Sequence, residues 1–209
     1  MSVKIGILAS GEGSNFQAIV NQTRDSPVYF SVVIYNNPDA PVCARAKNLG
    51  IPTVFLDHRQ FATREALDQA ILEVLGKYDV DLVVMAGWMR LVTSVLVEAY
   101  RGRMVNIHPS LLPSFRGIRA IEQALEYGVP ITGCSVHFVD LEVDSGPIIA
   151  QEAVPILADD TVETLSQRIH EAEHRIYPQV VRWLAEGRVQ IEGRRVRILA
   201  SIQGSTRNQ

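Results

Sequence analysis

An α/β fold with a doubly wound, mostly parallel, Rossmann-like sheet is predicted by three features of this 209-residue sequence. Short β-branched runs alternate with segments of helical periodicity through the first half, the pattern of strands joined by right-handed helical crossovers. The run Asp81–Gly87 is near-continuously apolar, as a strand covered on both faces requires. After Gly117 two long strand-like runs follow each other across a short acidic loop, which predicts an antiparallel pair on the far side of the sheet.

In chain order, Val3–Ser10 reads as a buried strand, then a glycine turn and a helix over about Ser14–Gln22. Tyr29–Asn37 is the second strand, followed by a helix over Pro41–Leu49 and a short third strand over Pro52–Leu56. Thr63–Tyr78 places Leu67, Ile71, Leu72 and Leu75 at helical spacing behind Thr63 as N-cap. Asp81–Gly87, a helix over Thr93–Tyr100 and the strand Met104–Ile107 complete the parallel part. A helix over Ala120–Tyr127 precedes the pair Ile131–Val139 and Pro147–Ile156, joined by "DLEVDSG". The long C-terminal helix, about Thr161–Ala185, is capped by Thr161 or Asp160, and "GRVQIEGRRVRI" closes as a hairpin with Glu192-Gly193 as its turn. Arg194, Arg195 and Arg197 read as its solvated face, and Gln203–Gln209 as a frayed end.

Charge and composition exclude several classes of function. The formal net charge is −3 with no long basic run, which argues against a nucleic-acid or membrane-surface partner. No segment approaches the ~20 apolar residues of a membrane span, and the apolar start is too short for a secretory signal. Cys43 and Cys134 are far apart and lack CxxC spacing, so they read as free thiols of a reducing, cytoplasmic setting. His58, His137, His170 and His174 lack metal-ligand spacing, and no metal is expected.

Two stretches carry chemistry. "SGEGSN" (Ser10–Asn15) is a glycine turn opening a helix, whose free N–H groups and dipole favour an anion such as phosphate. The bland alternative is a tight turn with Ser14 as helix cap. A dinucleotide fingerprint would need a third glycine where Phe16 stands and an acidic residue where Asn36-Asn37 stand. In "MVNIHPSLLPSFRG", Asn106 and His108 share one strand face at the carboxyl end of a sheet strand, where open α/β sheets bind ligands. "GWMR" (Gly87–Arg90) lies at the neighbouring strand end, and the acidic loop ending in Asp144 can reach the same crevice. An Asn amide can stabilise an oxyanion, a His can shuttle a proton and an Asp can orient the His. Without a Ser or Cys nucleophile beside them, the three point to direct acyl transfer to an amine. His137 alternates with Ser135, so one of the two reaches the edge of this site, and "LLP" (Leu111–Pro113) is expected to hold a cis bond at Pro113.

Taken together, "GEGSN", "MAGWMRL", "NIHPSLLPSFRG", "GCSVHFVDLEVDSGPIIAQ" and "EAEHRIYP" resemble the folate-dependent glycinamide ribonucleotide formyltransferases over nearly the whole chain. The resemblance implies a single formyltransferase domain over residues 1–209. Residues 1–103 would form the nucleotide- and phosphate-binding half. Residues 104–209 would form the catalytic and folate-binding half. It implies Asn106, His108 and Asp144 as the catalytic trio, Gly13, Ser14 and Asn15 as the phosphate loop, and Glu173 as the carboxylate for the ribose hydroxyls. It further implies a pterin pocket from Met89, Arg90, Leu91 and Val92, with Asn106 and with Asp140, Leu141, Glu142, Val143 and Asp144, and Arg64 beside Arg90 near the folate tail. The co-substrate would be 10-formyltetrahydrofolate and the acceptor glycinamide ribonucleotide, with the chain acting as a monomer or homodimer. Trp88 and "FRGIRAIEQ" depart from the commoner family pattern.

A formyltetrahydrofolate hydrolase would share the trio and use water instead. It is expected to carry an N-terminal regulatory domain before the first strand. A methionyl-tRNA formyltransferase would need a basic RNA-binding domain, a nicotinamide oxidoreductase is opposed by Phe16 and Asn36-Asn37, and a non-catalytic nucleotide module would leave Asn106 and His108 without a purpose.

Overall fold

The computed structural model describes residues 2–200. Its central sheet holds β1 (Val3–Ala9), β2 (Val28–Tyr35), β3 (Thr53–Phe55), β4 (Leu82–Met85), β5 (Met104–His108), β6 (Ile131–Phe138) and β7 (Ile148–Pro155). Their order across the sheet is β3-β2-β1-β4-β5-β6-β7. Strands β1 to β5 run parallel, while β6 is antiparallel to β5 and β7 is antiparallel to β6. The order reverses between β1 and β4, the place where such sheets open a ligand crevice beyond the carboxyl ends of their strands.

Alternation along the strands builds two core layers. Ile5, Ile7 and Ala9 of β1, Val84 of β4 and Val105 and Ile107 of β5 face one layer. That layer is covered by α1 (Ser14–Gln22), α2 (Val42–Asn48), α5 (Ala120–Tyr127) and α6 (Val162–Ala185). Leu8, Val83, Met85 and Met104 face the other, under α3 (Arg64–Lys77) and α4 (Ser94–Ala99). Full burial of each such side chain contributes roughly 1.5–3 kcal/mol. Asn106 and His108 stand on the face of Met104, as period-two alternation requires, at the strand end.

Helix starts follow side-chain capping where it is available. Thr63 accepts from the Ala66 N–H, and Thr161 forms a capping box with Thr164, which assigns the α6 cap to Thr161 and not Asp160. Helix α1 starts at Ser14 as expected, and Ser14 is not the cap of the bland alternative: the capping position is Gly13, left-handed at φ 72°. A Cβ at Gly13 would lie 2.6 Å from Val42 Cγ2, so both space and backbone demand glycine there. The hairpin turn also shifts by one residue. Strand β8 (Val189–Glu192) pairs Glu192 with Arg195 of β9 (Arg195–Ile198), so Gly193 and Arg194 form the turn. The expected cis bond lies at Leu112-Pro113. The tail Gln203–Gln209 lies outside the described residues. Among the described residues no helix is long and apolar enough to cross a membrane.

One contact joins α6 to the floor of the crevice. The fully buried Tyr177 hydroxyl lies 2.9 Å from the Met85 carbonyl and 3.2 Å from that of Val105, in hydrogen-bond reach of both β4 and β5. Burial raises this phenol well above its ordinary range, so it stays a donor.

Candidate active site

A cavity of about 720 Å³ opens at the carboxyl ends of β4 and β5, bounded by the loops after β4 and β6 and by α6. The chain around β1 and β4 is stitched there: Ser10 N–H donates to the Gly87 carbonyl, and Met89 N–H donates to Ser10 Oγ. This holds Gly87–Val92 in place as one wall. Met89 and Leu91 from this loop, with Leu141 and Val143 from the opposite one, are largely exposed, leaving apolar surface uncovered at the rim. Such surface suits a planar aromatic ligand.

At the floor, the register of β5 and β6 sets Asn106 opposite His137 and His108 opposite Ser135. The Asp144 carboxylate reaches between the two imidazoles: Oδ2 lies 3.3 Å from His108 Nδ1, and Oδ1 lies 3.6 Å from His137 Nε2. Gly117 N–H donates to the same Oδ2 at 2.8 Å. Asp144 itself sits at φ +50°, a region that β-carbon residues occupy at a cost and Asp tolerates better than most. Gly146 makes this loop path possible, because a Cβ there would lie 1.8 Å from the Phe138 carbonyl oxygen.

Ring partners assign the tautomers. His108 Nε2 lies 2.8 Å from the Phe115 carbonyl, so it donates; with Nδ1 facing a carboxylate, both ring nitrogens face acceptors. His137 Nδ1 donates to the Phe138 carbonyl at 2.8 Å, leaving Nε2 as an acceptor for Asn106 Nδ2 at 3.4 Å. Burial pushes His137 below the usual imidazole range, against the pull of its own carbonyl bond and of Asp144, so it is neutral. A neutral His137 turns the NH2 of Asn106 toward the site and leaves its second N–H free for a ligand oxygen.

At the other end of the cavity, Asn15 Nδ2 donates to Glu173 Oε2 at 2.8 Å. Burial raises the Glu173 carboxyl, partly offset by the Asn15 bond and by nearby His170 and His108. The start of α1, with Gly13 and Ser14, stands beside this pair and presents the positive end of its dipole. A phosphate and a sugar hydroxyl pair would find complementary groups here.

The matching family is described as formyl transferase and covers residues 3–181. The chain belongs to the formyl transferase family. This formyl transferase is 43% identical over 183 residues to the phosphoribosylglycinamide formyltransferase of Bacillus subtilis, covering 87% of this chain and 94% of that protein. It is 46% identical over 190 residues to the human trifunctional purine biosynthetic protein adenosine-3, of which it spans 19%. The crystal structure of glycinamide ribonucleotide transformylase 1 from Symbiobacterium toebii superposes with a TM-score of 0.93 at 50% identity, over 95% of each chain.

Within this formyl transferase, Asn106, His108, Asp144, Asn15 and Glu173 all line one cavity, together with Met89–Val92 and Asp140–Val143. Arg64 does not. It lines a separate hollow of about 140 Å³ with His58 and Thr63, which meets the main cavity only through Arg90. Two residues gain importance beyond their sequence reading. His137, expected at most at the edge, stands at the centre, and the exposed His170 lines the cavity one helical turn before Glu173. The period-two spacing of Ser135 and His137 along β6 is the signal for the first; spacing back from Glu173 on α6 is available for the second.

Proposed function

We propose that this chain is a phosphoribosylglycinamide formyltransferase, carrying the formyl group of 10-formyltetrahydrofolate to the amine of glycinamide ribonucleotide in purine synthesis. The observation that carries the proposal is the Asp144 carboxylate set between His108 and His137 beside Asn106, at the floor of a cavity whose other end holds the Asn15–Glu173 pair. Relatives of matching length are named for this activity, and none of the relatives described above is named for hydrolysis.

In the proposed reaction the α1 start binds the ribonucleotide phosphate, Glu173 accepts from the ribose hydroxyls, and the apolar rim with Asp140–Val143 holds the pterin. Arg90, with Arg64 farther out, faces the folate tail. The amine lone pair attacks the formyl carbon, and the carbonyl electrons move onto oxygen. The free N–H of Asn106 stabilises that oxyanion, joined by the His108 ring once its Nε2–H swings from the Phe115 carbonyl to the ligand; removing one such donor typically costs about 2.7–4 kcal/mol. As the carbon–N10 bond breaks, a proton passes to N10 and the former amine loses one, a relay for which Asp144 orients His108. Holding both substrates by their far ends can supply roughly 7–11 kcal/mol of the barrier. The reading includes a cytoplasmic chain acting on small molecules as a monomer or homodimer.

The test is folate release from 10-formyltetrahydrofolate by the purified chain, with and without glycinamide ribonucleotide. Release only in the presence of the amine supports transfer. Equal release without it would overturn the reading in favour of a hydrolase.

A further inference from the structure

We propose that Arg194, on the C-terminal hairpin and outside the cavity, is a positioning residue for Asp144, holding the Ser145 carbonyl and thereby the carboxylate between the two imidazoles. The proposal rests on the formyl-transfer reading for its catalytic consequence. The geometry it starts from stands alone: an Arg194 guanidinium N–H donates to the Ser145 carbonyl at 2.9 Å.

Three observations make this contact more than a surface arginine finding an acceptor. First, the hairpin is anchored. Val189, Val196 and Ile198 pack on the core, and Leu199 N–H and Arg188 Nε exchange bonds with the Arg188 and Leu199 carbonyls at its base. Gly193, at φ +61°, turns the chain so that Arg194 projects from the tip. Second, the loop is held on its other sides. Gly146 lies flat on the Phe138 carbonyl, Phe138 N–H donates to the Pro147 carbonyl, and Ser145 Oγ donates to the Glu142 carbonyl. Third, Asp144 occupies a left-handed backbone conformation, which persists only where its surroundings over-determine it. The peptide unit after the next residue is the one Arg194 holds. The hairpin continues directly from α6, so the helix that carries Glu173 also ends in the strut that steadies Asp144. Arg194 is exposed, as the solvated-face reading expects, and makes this bond from that face.

The experiment compares Arg194→Ala, Arg194→Lys and, as a control, Arg197→Ala, whose partner Glu192 lies on the same hairpin. The groups facing the His108 ring are Asp144 of the loop, His137 of β6 and, across the cavity, Glu173 of α6, and none is altered. We expect Arg194→Ala to lower kcat about tenfold, since small misplacements of a reacting group cost up to ~100-fold, with KM for both substrates changed by less than about twofold. The pH profile of kcat shifts, the ring 15N signals of His108 at fixed pH move, and the melting temperature stays within about 2 °C of wild type. Arg194→Lys recovers part of kcat, and Arg197→Ala matches wild type. Unchanged kcat, pH profile and ring signals in Arg194→Ala would overturn the proposal. So would kcat and melting temperature falling together without rescue by lysine. If the wild-type chain transfers no formyl group, the formyl-transfer reading fails on its own, and the His108 ring signals alone decide Arg194.

Discussion

Asn106 and His137 face each other across the antiparallel β5–β6 register, with Nδ2 of one 3.4 Å from Nε2 of the other. The histidine accepts because its own Nδ1–H is committed to the Phe138 carbonyl and because burial keeps it neutral. In the proposed reaction its part is to aim the amide that meets the oxyanion.

Replacing His137 by Phe removes the acceptor and frees the Asn106 amide to rotate. A mis-aimed donor forfeits part of the stabilisation, so kcat should fall by roughly 10–100-fold with little change in KM for the ribonucleotide. Steady-state kinetics check this. An unchanged kcat would show that Asn106 needs no orienting partner.

Asp144→Asn retains an oxygen for the Gly117 N–H but no longer sets a charge between the imidazoles. Turnover should fall by about 10²–10⁴-fold, as for other carboxylates that orient a catalytic histidine. A variant with wild-type turnover would remove Asp144 from the mechanism.

Glu173 offers a trade between binding and stability. Its carboxyl is raised by burial, so the folded chain holds the proton more tightly than the unfolded chain does. Wild-type stability is thus fullest below the unfolded value of about 4.3 and declines as pH rises through the raised folded value. Glu173→Gln escapes that decline. It should be more stable than wild type at neutral pH, with the gain vanishing below about pH 4. Thermal melts across pH measure it. The same variant should raise KM for glycinamide ribonucleotide by about tenfold or more, because hydrogen bonds to a charged acceptor are worth ~1.5–3 kcal/mol.

Gly146→Ala puts a Cβ 1.8 Å from a backbone oxygen that cannot swing aside. The loop must move, so activity should fall by well over tenfold while stability drops by only about 1–3 kcal/mol. Equal retention of activity and stability would mean that the loop has slack.

Much of this site is visible in the chain because period-two geometry is local: Asn106 and His108 share a face whatever the sheet around them does. The acidic loop is legible locally as one that can reach the crevice, and the resemblance picks out Asp144 within it by its Gly-Pro context. His137 needed the β5–β6 register, a long-range quantity set by packing and not by neighbouring residues. The β8–β9 turn slipped by one position because Glu192-Gly193 and Gly193-Arg194 are both acceptable turn pairs locally, and only pairing of Glu192 with Arg195 separates them. Arg64 shows the opposite limit. Its place in a side hollow follows from how α3 lies against the loop of Arg90, which no local pattern encodes.

The Tyr177 phenol reaches the carbonyl of Met85, which ends β4, and that of Val105, inside β5. Those two strands are parallel neighbours, and in the proposed reaction the segment after β4 walls the folate while the end of β5 carries the amide that meets the formyl oxygen. On that reading a single oxygen acts as a keystone that sets how far apart the two reactants are carried, and any change in its reach would retune the gap the formyl group crosses.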